Sequence, residues 1–222
     1  MKNNSNTIKR KNAGFTLLEL VVVVAVMGLI STMAMDVYTD HSNQKRFEST
    51  KERLAEIKFA IIGDPMMRVG SQAVLSGYYN DMSVLPETLS QLLYQCHGNS
   101  NIGINAADKP TCEATTGNVW EPNWKGPYLT NIQANGADLV FRDAWGNKSD
   151  PADGNFGWTF TPSDADSDST NDTILVQSTG LGAGTGTYDT DYPTSGNLIN
   201  KADLDRIDHL KSLVASSGYC IN

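Results

Sequence analysis

Gly14-Phe15-Thr16-Leu17-Leu18-Glu19-Leu20-Val21-Val22-Val23-Val24-Ala25-Val26-Met27-Gly28-Leu29-Ile30 decides how the rest of this 222-residue chain is read. Residues 15–35 are largely apolar, and Glu19 is their sole charge. At ~1.5 Å per residue a helix of that length spans about 30 Å, the hydrocarbon thickness of a bilayer. A carboxylate in such a segment costs on the order of 2.5–3.5 kcal/mol at the membrane centre and less near an interface. An acid held there marks a functional position whose partner has to be found. A secretory signal peptide does not account for the stretch, because its apolar region is only ~7–15 residues long and carries no acid. Ser31-Thr32-Met33-Ala34 is the place where such a signal would be cut. A plain single-pass anchor accounts for the length but not for Glu19.

Ahead of the run lie Lys2, Lys9, Arg10 and Lys11, with no acid among them. A basic flank places that side in the cytoplasm and the remainder across the membrane. The whole chain carries 17 Lys and Arg against 25 Asp and Glu, a formal charge of −8; without residues 1–14 the basic count falls to 13 and the charge to −12. An acidic exported part argues against nucleic acid as the main partner, since phosphate contacts need clustered Lys and Arg.

The basic residues, then Gly14-Phe15-Thr16-Leu17-Leu18-Glu19, then the unbroken apolar run resemble the class III signal of type IV pilins and of the pseudopilins of type II secretion. The resemblance implies cleavage between Gly14 and Phe15 by a prepilin peptidase, N-methylation of Phe15, and a docking role for Glu19 in filament assembly. Trp124-Lys125-Gly126-Pro127-Tyr128-Leu129 and Asp143-Ala144-Trp145-Gly146-Asn147 are similar to segments of the major, G-type pseudopilins, with Ala144 in place of a proline. Met82-Ser83-Val84-Leu85-Pro86-Glu87-Thr88-Leu89 resembles the segment by which pseudopilins leave their long helix. The same resemblance implies calcium in a glycine-rich loop, here residues 180–191, with Asp189 and Asp191 as its later acids. Ala183 stands near the place of the earlier aspartate.

The expected fold class is α+β and pilin-like. A leader occupies residues 1–14 and a long helix residues 15–62, of which 15–35 span the membrane. A globular domain on a small antiparallel sheet, with a C-terminal helix, fills residues 65–222. Phe47, Thr50, Leu54, Ile57 and Ile61 form one stripe of the long helix, while Lys45, Arg46, Glu52 and Arg53 stay in solvent. Gly63-Asp64-Pro65 stops it. Residues 66–84 read as loop. A short helix follows, with Pro86 in its first turn and Leu89, Leu92 and Leu93 inward. Trp145-Gly146-Asn147 reads as a turn. Phe156, Trp158 and Phe160 alternate as a strand that pairs with Ile174 and Val176. Lys201–Ser216 forms the last amphipathic helix, with Leu204, Ile207, Leu210, Leu213 and Val214 on one face and Gly218 beyond its end.

Cys96 and Cys112 bracket a loop rich in Gly, Asn and Pro and are the expected disulfide. Closing ~15 residues stabilises by roughly 3 kcal/mol in the chain-entropy model. Cys112 with Cys220 remains the alternative, and one thiol is left over either way. Zinc is not expected, because neither the cysteines nor His41, His97 and His209 show ligand spacing. Asp164, Asp166 and Asp168 have the first spacings of an EF-hand, but Ser169 replaces its glycine and Leu175 its final glutamate, so residues 161–172 read as a solvated hairpin loop. Calcium is the one cofactor the sequence brings forward.

The sequence shows no nucleophile elbow and no phosphate loop, so an enzyme is not expected. The expected role is a structural subunit of an inner-membrane-assembled pseudopilus in type II protein secretion. A minor type IV pilin in adhesion, motility or DNA uptake is the alternative. The implied partners are further copies, other pseudopilins or pilins, the prepilin peptidase and the inner-membrane assembly platform.

Overall fold

A computed structural model describes residues 15–64, 66–69, 72–73, 75–98, 103–135, 138–146, 154–178 and 198–216. Helix α1 (Leu17–Ile62) stops where the glycine predicts. Gly63 takes φ +75° and donates its N–H to the Phe59 carbonyl at 2.8 Å, a left-handed cap that glycine adopts without steric penalty. A Cβ at Gly63 would lie 2.4 Å from the Ser76 carbonyl oxygen, so space as well as backbone requires glycine there.

The chain divides into two compact units, Met1–Lys45 and Arg46–Asn222, and α1 contributes to both. In the second unit, Thr50, Ile57 and Ile61 are fully buried and Leu54 packs against them. This is the stripe the spacing predicts. Arg53 departs from expectation. Its guanidinium lies 6.0 Å over the Phe141 ring and donates to the Arg142 carbonyl. The aliphatic stem of an arginine covers apolar surface that the helix pattern alone cannot show.

After α1 come β1 (Arg68–Val69) and β2 (Gln72–Ala73), an antiparallel pair, and α2 (Tyr78–Met82), where a loop was expected. The next helical turn is a 3-10 segment, Leu89–Leu92, beginning after Thr88 rather than at Pro86. The Gln91 carboxamide explains the shift, since its Oε1 accepts the Glu87 N–H at 2.6 Å and that of Thr88 at 3.4 Å. Leu89, Leu92 and Leu93 face inward as expected. A three-stranded antiparallel sheet has the order β4 (Gly103–Ile104), β3 (Cys96–His97), β5 (Val119–Trp120), and α3 (Lys109–Glu113) leads into β5. The disulfide joins Cys96 to Cys112, Cα atoms 5.8 Å apart, and so fastens β3 to α3. Of the two pairings left open by the sequence, this one is present; Cys220 lies outside the described residues.

Two hairpins complete the sheet structure, β6 (Gln133–Asn135) with β7 (Asp138–Val140), and β8 (Trp158–Ser163) with β9 (Thr173–Ser178). The two expected runs pair, with Phe160 opposite Val176, while Ile174 stands opposite Pro162. Phe156 is buried but not in the strand; its φ is +55°, and β8 starts two residues later. The Asp143-Ala144-Trp145-Gly146 turn is closed by the Gly146 N–H on Asp143 Oδ1 at 3.0 Å, while Asn147 is outside the described residues. Helix α4 (Lys201–Ser216) has the predicted bounds, buries Leu204 and Ile207, and pairs Asp203 with Lys58 of α1 at 3.2 Å. Residues 213–222 have no described side chains. The class is α+β, with antiparallel strands between an N-terminal and a C-terminal helix.

The Trp124–Leu129 segment serves packing. Trp124 Nε1 donates to the Gln91 carbonyl at 2.9 Å, and the Tyr128 hydroxyl to Asp81 at 2.8 Å. The Trp158 indole donates to the Phe141 carbonyl at 2.8 Å while their rings stack at 6.4 Å. Buried rings are held in register because each polar tip has a partner.

Candidate functional site

The amino end of α1 holds the two described residues that the sequence marks, Phe15 for processing and Glu19 for assembly. Phe15 is 86% exposed just ahead of the first helical residue. Thr16 and Glu19 then exchange hydrogen bonds. The Glu19 N–H donates to Thr16 Oγ1 at 3.2 Å, and Glu19 Oε2 accepts the Thr16 N–H at 3.1 Å and hydroxyl at 3.2 Å. This reciprocal pair is a capping box, which satisfies two of the amide donors a helix leaves open at its start. The carboxylate also lies at the positive end of the helix. Sequence reasoning gave Glu19 a role but missed Thr16. A Thr three residues before a Glu at the head of an apolar run was the available signal.

Beyond the box the helix is apolar on every side. From Leu17 to Met33 its large side chains are exposed all round the axis, none by less than 48%. A helix hydrophobic all round belongs in lipid or in the core of an assembly. The polar residues of the run are satisfied within it. Ser31 Oγ donates to the Met27 carbonyl at 2.7 Å and Thr32 Oγ1 to that of Leu29 at 2.8 Å. Among the described residues no helix is long and apolar enough to cross a membrane. The expected span, residues 15–35, includes two residues of 34–37, whose side chains are not described.

Gly14 and the rest of residues 1–14 lie outside the described residues, as do Asp189, Asp191 and the whole of residues 180–191. The expected cleavage junction is therefore described on its Phe15 side alone, and the expected calcium loop not at all.

Residues 9–35 match the family model of the prokaryotic N-terminal methylation motif. The fimbrial protein EcpB of Eikenella corrodens is 24% identical over 131 residues, covering 56% of this chain and 81% of that protein. No solved structure matches. The motif spans both sides of the Gly14–Phe15 junction and all of the capping box, and the fimbrial likeness extends beyond it. The chain carries the prokaryotic N-terminal methylation motif and is similar, beyond it, to a fimbrial protein.

Proposed function

We propose that this chain is a subunit of a type II secretion pseudopilus, cut between Gly14 and Phe15 by a prepilin peptidase, methylated at Phe15 and polymerised through α1. The observation that carries the filament role is the capped, wholly apolar start of α1, an unpartnered surface that a bundle of like helices would cover. Before assembly the subunit is held in the inner membrane by this segment, with its acidic second unit in the periplasm. Its partners are further copies, other pseudopilins and the inner-membrane assembly platform. The Trp124–Leu129 and Asp143–Asn147 segments favour the secretion pseudopilus over a pilus.

The second reading is a minor type IV pilin, and the likeness to a fimbrial protein favours it. Deleting the gene in its own bacterium separates the two. Loss of protein secretion with surface pili intact is the expected result. Loss of pili or pilus-driven motility, with secretion intact, would establish the second reading instead.

A further inference from the structure

The loop between β8 and β9 reads Asp164-Ala165-Asp166-Ser167-Asp168-Ser169-Thr170-Asn171-Asp172. Asp164, Asp166 and Asp172 each bring a carboxylate oxygen within 4.8 Å of the other two. Exposed acids gather in loops without consequence, but Asp172 is not exposed. It is 7% accessible, and its Oδ1 accepts the Ala165 N–H at 3.0 Å. Its Oδ2 is shielded from solvent and has no hydrogen-bond partner. The Lys201 ammonium stands 3.8 Å from that oxygen, beyond hydrogen-bond reach, and makes its close contact with Asp166. A buried carboxylate oxygen without a donor is unfavourable unless a cation reaches it. The loop carries four carboxylates, and Lys201 is the one cation paired with them among the described residues.

We propose that Asp164, Asp166 and Asp172 form a site for a divalent cation of calcium's size, for which the Lys201 ammonium competes. The donors are all oxygen, the set that hard cations take. Opposite ligands on a calcium ion stand about 4.6–5.2 Å apart, given bonds of ~2.3–2.6 Å, so one ion can reach all three oxygens with little movement. Magnesium, at ~2.0–2.1 Å and with a stricter octahedron, requires a tighter cage. Ser169 supplies the left-handed turn that an EF-hand assigns to glycine, with φ +74°. The buried acid is Asp172, at the ninth position of the loop rather than the twelfth. Lys201 opens α4, so an ion that displaces it frees the start of that helix from the loop. This site uses none of residues 180–191 and does not rest on the filament role.

Equilibrium dialysis of the full-length chain in detergent, stripped with chelator and then titrated with calcium chloride, tests the site. Asp164→Asn with Asp166→Asn should bind one ion fewer per chain than the native sequence, a difference readable whether or not residues 180–191 hold an ion of their own. Circular dichroism checks that the variant is folded. If it is not, Asp166→Asn alone, at a half-exposed position, should weaken the lost site at least tenfold. Lys201→Gln should tighten binding several-fold by removing the competing charge, and magnesium should bind at least tenfold more weakly than calcium. Equal stoichiometry in the native chain and a folded double variant would overturn the proposal. So would no calcium binding by the native chain, or weaker binding in Lys201→Gln.

Discussion

Glu19 does two things at once, and substitution can separate them. Its carboxylate caps α1 through Thr16, and it is the sole charge in the described apolar run. Losing a cap costs ~0.5–2 kcal/mol of helix stability. Thr16→Ala removes the Oγ1 half of the box and keeps the charge, whereas Glu19→Ala removes the carboxylate half together with the charge and leaves Oγ1 to accept the residue-19 N–H. Glu19→Ala is expected to leave processed protein in membranes but to deplete it from sheared filaments, with Thr16→Ala much milder. Equal depletion in the two variants would show that the cap, not the charge, governs assembly. Glu56 is the corresponding acid of the second unit. It accepts from the Thr130 N–H and hydroxyl at 2.9 and 2.8 Å, and from the Asn131 N–H and carboxamide at 3.0 and 2.7 Å. Partial burial works against its ionised form, but the bonds from Asn131 and Thr130 outweigh it and hold its pKa below the usual value. A lowered folded pKa gives stability that is complete above the unfolded carboxylate range, near ~4.3, and is lost as pH falls through the folded value. Glu56→Gln should therefore cost about 1 kcal/mol at neutral pH, after allowance for solvent screening, and flatten the acid limb of a melting-temperature profile. Parallel profiles for the two proteins would reject that role.

At the scale of elements, the end of α1 depends on a glycine for two reasons that can be weighed apart. Gly63 and Gly146 both have left-handed φ, +75° and +73°. Around Gly146 a Cβ would meet nothing within 4 Å, whereas at Gly63 it would run into the Ser76 backbone. Left-handed backbone costs a non-glycine residue ~1–2 kcal/mol. Gly146→Ala should lose about that much in thermal denaturation of the second unit's signal, and Gly63→Ala clearly more, since Ser76 belongs to the chain entering α2. Equal losses would mean that the segment before α2 yields without cost.

For the whole molecule, the proposed processing would change both length and charge. Removing residues 1–14 takes away four basic side chains and no acid, shifting the formal charge from −8 to −12. The methylation motif spans the junction at residues 9–35. Mass spectrometry of protein purified from its own bacterium should find a first residue Phe15 bearing one methyl group. A chain that starts at Met1, or is cut near Ala34, would remove the basis for assembly through a free, methylated amino end. A chain processed in this way would be attracted less to phosphate backbones.

Local chemistry was legible without coordinates. The stop of α1 at Ile62 and the span of α4 follow from periodicity and a capping glycine or turn residues nearby in the chain. The pairing of Phe160 with Val176 follows from strand alternation. The methylation motif is a contiguous string, so residue order alone exposes it. Tertiary structure decided what depends on neighbours far along the chain. Arg53 is drawn onto Phe141, and Phe156 stands outside β8 and enters the core. Cys112 meets Cys96, and Asp172 passes from a string of loop acids into a buried position beside Lys201. Periodicity records which way a side chain points along its own element, but burial and charge pairing are set by whatever packs across from it. That is why the methylation motif could be read from the chain and the burial of Asp172 could not.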